Sequence, residues 1–118
     1  MIPASQKFPL RTDFLRFRAR AQKILSPHVA VYYALHTGHS RLAVVVPKKV
    51  SKLATTRNWL KRLTYDALYP HLKDAKLDVV VMYKPLPLSK NPKNKATIIG
   101  EIRNLKLQIT NNTDILDL

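Results

Sequence analysis

The chain has 118 residues, 46% of them hydrophobic, and carries 21 Lys and Arg against 7 Asp and Glu for a net charge of +14. That length and apolar content predict one folded domain rather than a disordered basic tail, and the charge points to a polyanionic partner, nucleic acid ahead of an anionic membrane. With no Cys, disulfides and thiolate zinc sites are excluded and a reducing, cytoplasmic setting is expected; no run approaches the roughly 18 apolar residues of a membrane span.

Phe14, Phe17, Ala21 and Ile24 or Leu25 recur at steps of three and four, which predicts a short amphipathic helix over Asp13 to Leu25, capped by Thr12 or Asp13 and ended by Pro27. Val29 to Leu35 and Leu42 to Val46 are apolar, β-branched or aromatic, and Thr37-Gly38-His39-Ser40 between them has turn chemistry, so the two read as an antiparallel hairpin stopped by Pro47. From Thr55 to Tyr69 the period changes to that of a helix. Leu60, Leu63 and Ala67 share one side, while Arg57, Asn58, Lys61, Arg62 and Tyr65 fall within about 140° on another. Thr55 or Thr56 caps its start and Pro70 is expected to help stop it.

Leu77 to Tyr83, Leu-Asp-Val-Val-Val-Met-Tyr, is an apolar run short and β-branched enough to be a central strand. Pro85, Pro87 and Pro92 mark a linker, after which Asn91 can cap a last helix striped by Ile98, Ile99, Ile102, Leu105 and Ile109. The tail, Asn111 to Leu118, is expected to fray.

Between Asp13 and Asp66 the chain runs through 52 residues with eleven Lys or Arg and no carboxylate. A cation-rich face without acids suits phosphate binding, because each neutralised phosphate releases counterions and a nearby acid would cancel part of the gain. Arg57 and Lys61, like Asn58 and Arg62, stand four apart, so their head groups rise from adjacent turns toward successive phosphates. Asn58 suits a sugar or base edge, or equally a bond to its own neighbouring loop. Phe14, Phe17, Tyr32 and Tyr33 add aromatics, two of which could face a cleft and stack on unpaired bases, although Phe at helical spacing is more often core.

No nucleophile with a base, no paired carboxylates and no metal-ligand cluster is visible; His36 and His39 sit in or beside a turn with no Cys or carboxylate beside them. With Gly38 and Gly100 as the only glycines, a Gly-rich phosphate loop is excluded. An autonomous endonuclease therefore lacks its acid and base, and a binding module remains.

Lys48-Lys49 after a strand, a short loop, then Arg57-Asn58-x-x-Lys61-Arg62 resembles the signature of the bacterial ribonuclease P protein subunit. Asp13-Phe14 on the first helix, the Val29 to Tyr33 and Arg41 to Val46 strands, and Asp78 to Pro85 are similar to that family in the same order, over roughly residues 10 to 109. Trp59 replaces the last Arg of the family's Arg-Asn-Arg motif, Tyr65-Asp66 replaces its usual Arg-Glu, Ser51 replaces a Gly and Pro47 a Ser. The loop before Arg57 is one residue longer than usual, and the second cleft aromatic aligns with Arg18. These departures describe a divergent member.

The resemblance implies a small α+β sandwich, with about three helices on a mixed sheet of three to four strands and a left-handed βαβ crossover through the Arg-Asn helix, where general rules favour a right-handed one. It also implies an accessory subunit without catalytic residues, whose partners are the ribonuclease P RNA and precursor tRNA, with no membrane and no small-molecule substrate. Catalysis would belong to the RNA and its magnesium, the protein binding no cofactor itself. Lys48, Lys49, Arg57, Asn58, Lys61 and Arg62 would hold the catalytic RNA. Phe14, Phe17, Arg18 and Tyr33 would line a cleft for the 5′ leader. The alternative is a ribosomal or other structural RNA-binding protein.

Overall fold

The computed structural model describes residues 10–35, 40–72 and 76–116, with side chains over 14–35, 40–72 and 76–109. Its elements are α1 (Leu10–Arg20), β1 (Gln22–Leu25), β2 (Val29–Leu35), β3 (Arg41–Val45), α2 (Ala54–Leu72), β4 (Leu77–Tyr83) and α3 (Pro92–Leu116). The strands form one mixed sheet in the order β1-β2-β4-β3, antiparallel except for the β3–β4 pair.

The expected hairpin of β2 with β3 does not form. β4 lies between them, pairing Val31 with Val81 on one side and Val44 with Val81 on the other. This follows from the composition of β4: its Leu77–Val81 half is wholly buried, and an apolar run of that kind belongs in the middle of a sheet. α2 is thus the crossover between parallel strands. The turn residues Thr37 to His39, with His36, lie outside the described residues.

The first helix is shorter than its periodicity predicts. It starts at Leu10 and stops at Arg20, and Gln22–Leu25 leaves it to become an edge strand, pairing Ile24 with Val31. Ser26 N donates to the Val29 carbonyl at 2.9 Å and so makes the β1–β2 turn, with Ser26 Oγ 3.1 Å from the same carbonyl.

Strand alternation divides the interior into two layers. Val29, Val31 and Tyr33 of β2, Leu42 of β3 and Leu77, Val79, Val81 and Tyr83 of β4 pack against α2 and α3. Ala34 and Val80, with the half-buried Tyr32, Ala43 and Met82, face α1 through Phe17 and Phe14.

The most buried row of α2 is Thr56, Leu60, Thr64, Leu68 and Leu72, an i, i+4 ridge that drifts around the helix, with Tyr69 buried beside it; the expected apolar side of Leu60, Leu63 and Ala67 also meets this core, Leu63 and Ala67 being half-buried against it. The basic face therefore belongs to the first half of α2 alone. Pro70 sits in the last turn without ending it. The hydroxyl of Ser40 donates to the Leu72 carbonyl and accepts from Leu77 N, and Tyr69 donates to the Ser40 carbonyl, which fastens the end of α2 to the β3 and β4 starts. α3 begins as expected: Asn91 Oδ1 accepts from Asn94 N at 2.8 Å and Pro92 takes the first helical position.

Candidate nucleic-acid interface

Lys48 and Lys49 occupy the two central positions of a tight turn closed by Val50 N donating to the Pro47 carbonyl, 3.0 Å, and both are exposed. Val50 is buried at one end, and its carbonyl accepts from Leu88 N at 3.0 Å, so the turn is fixed to the linker that leads to α3. The Lys pair is held on an anchored turn without a Gly.

Arg57 does not simply point outward. Its Nη1 donates to the carbonyls of Ser51 (2.9 Å) and Lys52 (3.1 Å), so the guanidinium clamps the loop that joins the Lys turn to α2. Asn58, Lys61 and Arg62 are exposed on the following turn and a half. Tyr65, on the same side by angle, is half-buried and stacks on Tyr69 with centroids 5.0 Å apart and planes 8° from parallel. Its hydroxyl is pushed up to about 12, first by burial and then by Tyr69 and Asp66.

The four cleft residues divide between the two faces of the sheet. Phe14 is half-buried and 6.5 Å from Phe17, and Arg18 is exposed, all on α1. Phe17 is 1% exposed and belongs to the core under α1. Tyr33, also 1% exposed, faces the opposite layer, where its hydroxyl donates to Gln22 Oε1 at 2.8 Å. The tyrosine on the α1 side is Tyr32, which is half-buried with Lys23 Nζ 5.4 Å from its ring centroid. Alternation carries the signal for this: once Val29 and Val31 face the main core, Tyr33 must follow and Tyr32 must not.

Two of the carboxylates are turned inward. Asp78 is fully buried between Arg41, at 2.8 Å through two bonds, and Arg20, at 3.5 Å. Glu101 accepts from Ser26 Oγ (2.8 Å) and His28 N (2.7 Å), and its other oxygen meets His28 Nδ1 at 2.5 Å. Neither acid is left to oppose an approaching phosphate. Among the described residues no group of three or more His, Asp or Glu could hold a metal ion, and no helix is long and apolar enough to cross a membrane.

The family model described as Ribonuclease P matches residues 2–105. Among curated proteins, the ribonuclease P protein component of a Pseudanabaena species is 34% identical over 69% of this chain and 73% of its own length. That of Ureaplasma urealyticum is 36% identical over 62% of this chain and 64% of its own. Among solved structures, a mutant Staphylococcus aureus RNase P protein with defective mRNA degradation activity superposes with a TM-score of 0.66 at 21% identity, covering 91% of this chain and 89% of that one. The Thermotoga maritima RNase P protein superposes with a TM-score of 0.59 at 23% identity, over 91% and 94%. These superpositions match the three helices and four-stranded mixed sheet.

Proposed function

Since the chain belongs to the ribonuclease P protein family, the protein component of the ribonucleoprotein endonuclease that processes tRNA 5′ ends, we propose how its two surfaces divide that work. The first half of α2 with the Lys turn binds the ribonuclease P RNA. The α1 face of the sheet receives the 5′ leader of precursor tRNA. Cutting is done by the RNA with its magnesium, in the cytoplasm where tRNA matures, and this chain supplies binding and charge screening.

The observation that carries this reading is the grouping of Lys48, Lys49, Asn58, Lys61 and Arg62 as exposed side chains around the start of α2, with Asp78 and Glu101 drawn inside. Screening by these cations lowers the repulsion between two polyanions that must approach closely. Arg57 acts behind them, fixing the loop that sets the distance between the Lys turn and the helix. On the other side, Phe14, Tyr32 and Lys23 offer rings and a cation to an unpaired strand, and stacking there contributes about 1–3 kcal/mol per base with little dependence on sequence. Arg18 adds a phosphate contact at the edge of α1.

The test is the salt dependence of binding to the ribonuclease P RNA. Lys61→Ala and Arg62→Ala should each weaken binding and flatten the log–log salt slope by roughly 0.7 to 0.9, with the fold intact because both side chains are exposed. Unchanged slopes in both variants would remove α2 from the interface. Binding to ribosomal RNA in preference to the ribonuclease P RNA would favour a ribosomal role instead.

A further inference from the structure

Trp59, which stands where the family pattern has an Arg, lines an open cavity of about 370 Å³ with Lys90, Asn91, Pro92 and Lys95. The indole is half-buried, packed against the main core and also open to this cavity. The opposite wall is fixed: Asn94 N donates to Asn91 Oδ1 and Asn94 Nδ2 to the Ser89 carbonyl, both at 2.8 Å, and Lys95 N to the Asn91 carbonyl at 3.0 Å. Lys90 and Lys95 are exposed, and none of the lining residues is acidic. The elements that line the cavity also carry or adjoin the cationic residues. Arg62 follows Trp59 by one helical turn, and the linker that ends at Lys90 is bonded to the Lys48–Lys49 turn through Leu88 N and the Val50 carbonyl.

We infer that this cavity receives an unpaired nucleobase of an RNA strand, the base stacking on Trp59 while Lys90 and Lys95 take the phosphates on either side of it. An aromatic plane flanked by cations is the minimal equipment for holding a single-stranded nucleotide without reading its sequence. An Arg at this position would offer a phosphate contact; Trp exchanges that charge for a stacking surface, and the two lysines of the α3 corner return the charge. The inference rests on the reading of α2 as an RNA-binding helix and adds a nucleotide subsite to it.

The chain has one Trp, so its fluorescence reports on Trp59 alone. The full-length protein is titrated with the ribonuclease P RNA and, separately, with precursor tRNA in the assembled holoenzyme; the arm that quenches the emission identifies which RNA supplies the base. The expected results are quenching in one arm, a loss of about 5- to 100-fold in affinity for that RNA in Trp59→Ala, and near-parental affinity in Trp59→Phe, which keeps the ring and the packing. Lys95→Gln should retain quenching at saturation and lower the salt slope by about 0.7. Unquenched emission in both arms while precursor cleavage is still stimulated would overturn the subsite and leave the reading of α2 standing. Equal losses in Trp59→Phe and Trp59→Ala would assign Trp59 to packing and overturn the subsite as well. No RNA binding and no stimulation by the parent protein would overturn both.

Discussion

Arg41 and Asp78 face each other on the first rung of the parallel β3–β4 ladder and join through two 2.8 Å bonds, Nε to Oδ1 and Nη2 to Oδ2. The pair closes the crossover that carries α2, at the end of the sheet where Arg20 of α1 also reaches Asp78. A buried carboxylate held this way hides negative charge from the surface and ties α1, β3 and β4 together. Taking one partner away leaves the other charge without its match in a poorly solvated place. Asp78→Ala is expected to cost about 3–5 kcal/mol in urea unfolding. The Arg41→Met, Asp78→Val double variant should lose clearly less than the sum of its parts. A loss below about 1 kcal/mol in Asp78→Ala would show that the pair is not under strong desolvation.

The two adjacent tyrosines of β2 separate stacking from packing. Tyr32→Ala should cost clearly less stability than Tyr33→Ala and weaken precursor tRNA binding by about 5- to 100-fold more than mature tRNA binding. Tyr33→Ala should cost about 3–5 kcal/mol of stability, as large buried rings do. Equal effects of Tyr32→Ala on precursor and mature tRNA would take the α1 face out of leader recognition.

Tyr83 gives the fold a dependence on alkaline pH. Its hydroxyl, 2.6 Å from Thr64 Oγ1, is pushed up to about 12, chiefly by burial, with the Thr64 bond pulling down and Glu101 pushing up. An unfolded Tyr titrates near 10, so the folded chain keeps a proton that the unfolded chain releases. The contribution is fully present below about pH 10 and is lost as pH rises through about 12. Tyr65 acts in the same direction but, being only half-buried, contributes less. Tyr83→Phe should therefore flatten the fall of the urea midpoint between about pH 10 and 12. Superimposable profiles for variant and parent would mean that the hydroxyl titrates alike in both states.

Gly100 lies on the exposed side of α3, and a Cβ built there meets nothing within 4 Å. Its φ is not positive. Gly100→Ala should raise stability by about 0.5–1 kcal/mol, since Ala loses less backbone freedom on forming helix. A fall in the thermal midpoint would point to a neighbour that the added methyl disturbs.

What could be read from the residues, and what could not, divides along a physical line. β4 was legible to its exact ends because a short, largely apolar run centred on Val79, Val80 and Val81 suits a buried strand, and the start of α3 was legible because Asn91-Pro92 carries its own cap. The cationic face of α2 followed from angle and charge alone. β1 was hidden because Ile24 continues the helical spacing of Phe17 and Ala21, and only pairing with β2 turns Gln22–Leu25 into a strand. The β2–β3 hairpin suggested by a short connection gave way to β4, whose burial outweighs proximity in sequence. The choice between Tyr32 and Tyr33 depended on which face of β2 meets α2 and α3, a matter of one residue in register. Arg57 carried the right charge for RNA, but its nearest acceptors are carbonyls of its own loop.

As proposed above, this chain assists an RNA enzyme by screening and holding polyanions. The most direct measurement is precursor tRNA cleavage by a bacterial-type ribonuclease P RNA at a magnesium concentration too low for that RNA alone, with the parent protein, with the Lys61→Ala, Arg62→Ala double variant, and with neither. The expected results are stimulation by the parent, a clear reduction in the double variant, recovery of the variant as magnesium is raised, and no cleavage by the protein without RNA. Absence of stimulation by a folded parent protein, or cleavage by protein alone, would contradict this role.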